Sequence, residues 1–136
     1  IAFANSPVAA VHALAYPIGG IFHIPHGLSN ALILPYVLRF NQLDQKAAHA
    51  YADLCDYIWP LKDPKKGIQY KSSFFIEKLV ELSERLGLEA RLRDVGIPKE
   101  SCEKMAKESM KQTRLLVNNP RCITEKDSLD IYLAAW

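Results

Sequence analysis

The chain has 136 residues, 49% of them hydrophobic and 24% charged, with 17 basic against 15 acidic groups and a formal net charge of +2. This is the length of one domain, the composition excludes intrinsic disorder, and the charge is too balanced to imply a nucleic acid or an anionic membrane as a partner. The charge is unevenly placed: residues 1–43 hold a single charged residue, Arg39, and the other 93 positions hold the remaining 16 basic and 15 acidic groups.

The uncharged start is no membrane span. A span needs about 20 nearly continuous apolar residues, and Asn5, Ser6, Pro7, His12, Pro17, Gly19, Gly20, His23, Pro25 and His26 interrupt this run. It reads as a segment buried against protein on most sides. Within it, Ala9 to Tyr16 is helix-compatible and is expected to stop before Pro17, with a sharp turn at Gly19-Gly20. Pro25 suits the start of a second helix and places His26 in its first turn. Ala31 to Val37 is the one run ambiguous between helix and strand, and Pro35 counts against a central strand.

Leu43, Ala47, Ala50, Leu54, Tyr57 and Ile58 recur at steps of three and four, which predicts an amphipathic helix over 44–58 with that face buried and Trp59-Pro60 ending it. A polar loop follows at 62–67. Ser72 or Ser73 is expected to cap a helix that buries Phe75, Ile76, Leu79, Leu82 and Leu86 and stops at Gly87. A turn containing Leu92 leads to Gly96. Pro98 then opens a helix with Cys102, Met105, Ala106 and Met110 inward, and Asn118-Asn119-Pro120 breaks it. Thr124 with Asp127 three residues on forms a capping box for a last helix presenting Leu129, Tyr132, Ala135 and Trp136.

No segment shows sustained two-residue alternation, so the fold class is all-α, a helical bundle. No GxGxxG or GxxxxGK[ST] occurs, so the chain carries no nucleotide-binding βαβ unit of its own. Cys55, Cys102 and Cys122 are 47 and 20 residues apart. That spacing and the odd count exclude a CxxC motif or a complete disulfide framework, and reduced, buried cysteines in a cytoplasmic protein are expected. The chain opens on Ile1 rather than Met and is read as a piece whose natural start lies upstream. No basic stretch precedes the apolar run, so no signal peptide is expected.

His12, His23 and His26 fall within 15 residues of an apolar segment. Burying an imidazole costs free energy unless its nitrogens are satisfied. A metal ion would satisfy them, because neutral imidazole is a common ligand for divalent ions. Two helices meeting at a turn could point His12 and His26 at one ion; core histidines bonded to backbone carbonyls are the alternative.

The run AFAN…VHALAYPIGGIFHIPHGLSNALILPYVLRFN resembles the signature of the iron-containing (group III) alcohol dehydrogenases, with a histidine-x13-histidine spacing whose second histidine lies within PHG. The likeness extends to Asn119-Pro120-Arg121, Thr124 and the final helix. It covers this whole chain but only the C-terminal part of the family's chain. The resemblance implies a dehydroquinate synthase-like two-domain enzyme. Residues 1–136 would be its all-helical C-terminal domain, with the metal-binding segment at 1–43, and an N-terminal domain binding NAD or NADP lies outside this chain. It further implies an Fe2+ or Zn2+ ion held by one Asp and three His, of which His12 and His26 match the last two. The nicotinamide side is met at Tyr16, where many members have a His thought to relay protons. A phenol hydrogen-bonds but is a weak base at neutral pH, so packing or orientation is the reading for Tyr16. Phe3 matches an aromatic residue lining the substrate pocket, a core role being the alternative. His23 matches no ligand position and is read as loop or pocket wall, and His49 as solvated.

By this likeness the full-length protein is an NAD(P)-linked oxidoreductase acting on a small alcohol or aldehyde, a homo-oligomer with no nucleic acid or membrane partner. The alternatives are a metal-free helical domain, inactive alone, and a zinc-dependent relative such as a glycerol dehydrogenase or dehydroquinate synthase. Segment 1–43 is expected to be covered by the missing domain, and to associate or be disordered near Ile1 without it.

Overall fold

The computed structural model describes residues 8–61, 63 and 65–136, and among these residues seven helices form and no strand does. They are α1 (Ala10–Phe22), α2 (His26–Asn41), α3 (Gln45–Ile58), α4 (Ile68–Arg85), α5 (Ser101–Ser109), the single turn α6 (Thr113–Leu116) and α7 (Glu125–Ala135), with a 3-10 turn at Leu92–Val95. α1 and α2 form a packed pair flanked by α5 and α7, and α3 and α4 form a second pair joined to the first through α2 and α4.

Side-chain caps start two helices, one of them expected. Asp44 accepts from Ala47 N–H at 2.9 Å and starts α3. Thr124 and Asp127 close the expected capping box at the start of α7. α4 departs from expectation. It begins at Ile68 behind Gly67, so Ser72 lies inside it, fully buried, with its hydroxyl donating to Gln42 Oε1 at 3.0 Å. Serine competes for caps only where no tertiary partner takes its hydroxyl, and Gln42 takes it here. Gly87 follows the end of α4 at φ +72 and Gly96 follows the 3-10 turn at φ +79, both in the left-handed region that glycine enters without strain.

α1 departs further. It runs through Pro17, Gly19 and Gly20 and ends only at His23, whose backbone is left-handed at φ 57 and whose N–H reaches Gly19 O at 2.9 Å. An interior proline costs about 3 kcal/mol in a helix. Ala10, Ala13, Leu14, Ala15, Pro17 and Ile18 are all buried along α1, and that packing outweighs the proline. The glycines do not turn the chain. A Cβ on Gly19 would come within 3.3 Å of Ile24 O, so Gly19 admits the loop that leads into α2.

α3 also turns a largely different face inward, sharing only Ala47 with the expected one. Ala47, Ala48, Ala52 and Cys55 are buried, whereas Leu43, Leu54, Tyr57 and Ile58 are exposed, Tyr57 at 88%. The small side chains let α3 approach α4 closely, and the aromatic rings of Tyr51, Trp59, Phe74 and Phe75 fill the space around Cys55 and Ile76. Leu82 and Leu86 of the α4 end, expected inside, are exposed for the same reason: the short satellite core ends before them. Of the three cysteines Cys55 and Cys102 are buried, but Cys122 is exposed, in the turn ahead of α7.

The Asn119-Pro120-Arg121 run is structural. Asn119 and Asn41 exchange amide hydrogen bonds at 3.0 and 2.8 Å, and the Arg121 guanidinium donates to Phe40 O at 2.5 Å while lying 3.8 Å over the Phe40 ring. These contacts fasten the α6–α7 loop to the end of α2.

Candidate metal centre

Two local features bring the histidines together. On α1, Ala13, Leu14 and Ala15 point into the core, which leaves His12 and Tyr16, one turn apart, on the outer edge. The left-handed step at His23 and the extended backbone of Pro25 then reverse the chain, and His26 becomes the first residue of α2. The ring centroids of His12 and His26 lie 5.3 Å apart with planes tilted by 53°, and the Tyr16 ring lies 6.2 Å from His26.

The core fixes this edge from beneath. Tyr132 of α7 is fully buried, and its hydroxyl donates to Leu14 O at 2.6 Å, midway between His12 and Tyr16 along α1. Burial pushes the Tyr132 phenol upward, so it stays a donor. Ser29 braces the start of α2 by donating to the carbonyls of Ile24 and Pro25 at 3.2 and 3.1 Å.

His12 is half-buried. Partial burial, and then the charge His26 would carry, push its pKa below the ordinary 6.5. At neutral pH it is therefore the neutral imidazole, the form with a lone pair for a cation. Two imidazoles at this spacing on one edge suit a first-row divalent ion. Among the described residues no group of three His, Cys, Asp or Glu side chains converges. No acidic residue stands in the first turn of α2, whose amino end is the positive end of the helix dipole.

Beside the pair, Tyr16, Pro17, Gly20 and Ile21 of α1 and Lys104, Glu108 and Gln112 border an open groove of about 380 Å³. A narrower cavity of about 200 Å³, between α2, α4 and the stretch 88–91, shares no residue with the histidine edge. His23 is exposed in the loop, as expected, and His49 is exposed on α3. Phe3 lies outside the described residues. Asn30 escaped the sequence reading. It stands one turn after His26 on the same helical face, and that spacing was the available signal; its amide touches the His26 ring.

Among curated relatives, the chain is 37% identical over its whole length to "Long-chain-alcohol dehydrogenase 1" of Geobacillus thermodenitrificans, of which it spans 34%. It is 29% identical over 98% of its length to "Lactaldehyde reductase" of Escherichia coli, again spanning 34% of that protein. The chain thus spans about one third of the length of the curated relatives it matches. Among solved structures it superposes on "Alcohol dehydrogenase from Oenococcus oeni" with a TM-score of 0.87, at 29% identity, over 99% of this chain and 34% of that one. A 1,3-propanediol oxidoreductase gives a TM-score of 0.86 at 27% identity, over 94% of this chain and 32% of that one. Residues 1–136 match the description "Fe-containing alcohol dehydrogenase family, C-terminal" throughout, and the chain belongs to that family as part of its C-terminal helical region.

Proposed function

We propose that the full-length protein is a metal-dependent alcohol dehydrogenase, that it moves a hydride between a small alcohol and NAD(P), and that His12 and His26 are two ligands of its metal ion. The observation that carries this reading is the pairing of two imidazoles 5.3 Å apart at facing edges of α1 and α2. Membership of the family supports iron and a nicotinamide coenzyme in general terms. The names of the relatives support alcohols and aldehydes as the substrate class. When bound, the ion supplies Lewis-acid polarisation of the substrate oxygen.

The chain's own residues do the rest of the work described here. Burial keeps His12 neutral and ready to ligate. The core behind α1 and the Ser29 brace hold the backbone segments that carry the two rings. The positive end of α2 disfavours a cation by about 0.3–1 kcal/mol. A carboxylate from the rest of the protein beside the two histidines would offset this, and the Asp implied by the family likeness is the candidate. Tyr16, half-exposed between His12 and the groove, orients the coenzyme side of the cleft through its hydroxyl rather than taking up a proton. Nitrogen ligands suit iron and zinc alike, and the missing ligands select between them.

Metal analysis and steady-state kinetics on full-length variants test this. His12→Ala and His26→Ala are expected to lose metal and activity together. Tyr16→Phe is expected to keep its metal and lose about tenfold in rate, less than a true acid–base group contributes. Retained metal with near-normal turnover in His26→Ala would overturn the ligand assignment, and a loss of a thousandfold or more in Tyr16→Phe would make that tyrosine a proton-transfer group.

A further inference from the structure

Asn30 folds its amide back along α2 onto His26. Its Nδ2 lies 3.0 Å from His26 Nε2 and 3.0 Å from the His26 carbonyl oxygen. The carbonyl settles which end of the amide faces the ring. Turned over, the amide would set Oδ1 against that carbonyl, two acceptors in contact, and would bury an amine in place of Oδ1. As it stands, Oδ1 is a buried atom without a hydrogen-bond partner among the described residues. A buried unpartnered oxygen is uncommon and costs free energy, so this orientation is kept against a penalty. With both N–H groups of Nδ2 donating, His26 Nε2 must accept, and the proton of the neutral ring sits on Nδ1.

His26 is exposed and opens its helix, so few packing contacts hold its ring. A free neutral histidine side chain in water prefers the other tautomer, with the proton on Nε2. Which nitrogen can ligate is set by the hydrogen bonds the ring makes. We propose that Asn30 is a positioning residue for His26: it holds the ring in the Nδ1–H tautomer with the Nε2 lone pair presented, and gives up that nitrogen when a divalent metal ion binds. The proposal rests on the reading of His26 as a ligand. Giving up one neutral hydrogen bond at an exposed ring is a small loss, of the order of a single net hydrogen bond. Losing the preset tautomer and orientation is the larger one, because a ring released to the Nε2–H tautomer must move its proton before that nitrogen can ligate.

The test uses the full-length protein stripped of metal, with histidine labelled in nitrogen-15, and zinc ion as the probe. His26→Ala assigns the His26 resonances and reports whether that ring ligates. The wild type is expected to show His26 as the Nδ1–H tautomer. Asn30→Leu, which keeps the volume without the donors, and Asn30→Ala are expected to move it towards Nε2–H, to weaken zinc binding severalfold, and to leave the His12 tautomer unchanged. A wild-type His26 protonated on Nε2 overturns the proposal without any variant being made. So does unchanged zinc affinity in both Asn30 variants while His26→Ala loses zinc, in which case the ligand reading survives. Full zinc affinity in His26→Ala removes the ligand reading and the proposal with it.

Discussion

The Thr124–Asp127 pair shows what two residues settle at the end of one helix. Asp127 Oδ2 accepts from Thr124 N–H at 2.9 Å and from the Thr124 hydroxyl at 2.6 Å, while Asp127 N–H donates to Thr124 Oγ1 at 3.1 Å. The Thr124 hydroxyl first, and the Thr124 backbone second, hold the Asp127 carboxyl below its ordinary 3.8. A carboxyl lowered by folding adds stability that is complete above its unfolded value and lost as the pH falls through its folded one. Asp127→Ala and Thr124→Ala should each cost about 1 kcal/mol near neutral pH. The gap between Asp127→Ala and wild type should shrink as the pH drops below 3.8. Urea unfolding at pH 7 and at successively lower pH measures both effects. A gap that is constant across that range would mean the carboxylate charge plays no part.

At the scale of an element, α3 is the informative case. Leu54, Tyr57 and Ile58 fall at helical spacing, and so do Ala48, Ala52 and Cys55, on another face. Counting large apolar residues selects the first face. Packing selects the second, because only small side chains let α3 lie against the aromatic cluster of α4. Tyr57 is 88% exposed, so Tyr57→Ser should change stability by less than about 0.5 kcal/mol. Phe75 is 7% exposed and stacks on Tyr51 with centroids 6.0 Å apart, so Phe75→Ala should cost about 3–5 kcal/mol. Equilibrium denaturation of the two variants checks the contrast, and comparable losses would restore the face read from periodicity.

Across the molecule, burial divides into two unequal cores. The larger one unites α1, α2, α5 and α7 with Leu92, Ile97 and Ile123. The smaller one, between α3 and α4, has Cys55, Phe75 and Ile76 as its buried members, and over its 18 residues α4 buries only Ser72, Phe75 and Ile76. Regions with few buried contacts open at lower free energy than the global transition. Amide hydrogen exchange should therefore be faster in the carboxyl half of α4, residues 77–85, than in α1 or in α7 around Tyr132. Equal protection in the two regions would show one cooperative unit. The same division explains the uncharged first third. Its helices carry no charge over most of their length because α1 and α2 are the middle of this core, and the edge left outside is the one with His12, Tyr16, Gly20 and His26.

What the sequence determined by itself was local or carried by a motif: the all-helical class, the Asp127 cap, the breaks at Trp59-Pro60 and Gly87, and the pairing of His12 with His26 together with the family it signals. Each of these depends on residues close along the chain, where backbone geometry leaves few choices. Tertiary structure decided the rest. It carried α1 through Pro17, because a buried helix gains more by staying whole than a proline costs. It turned the alanine face of α3 inward, because close approach to α4 favours small side chains over large ones.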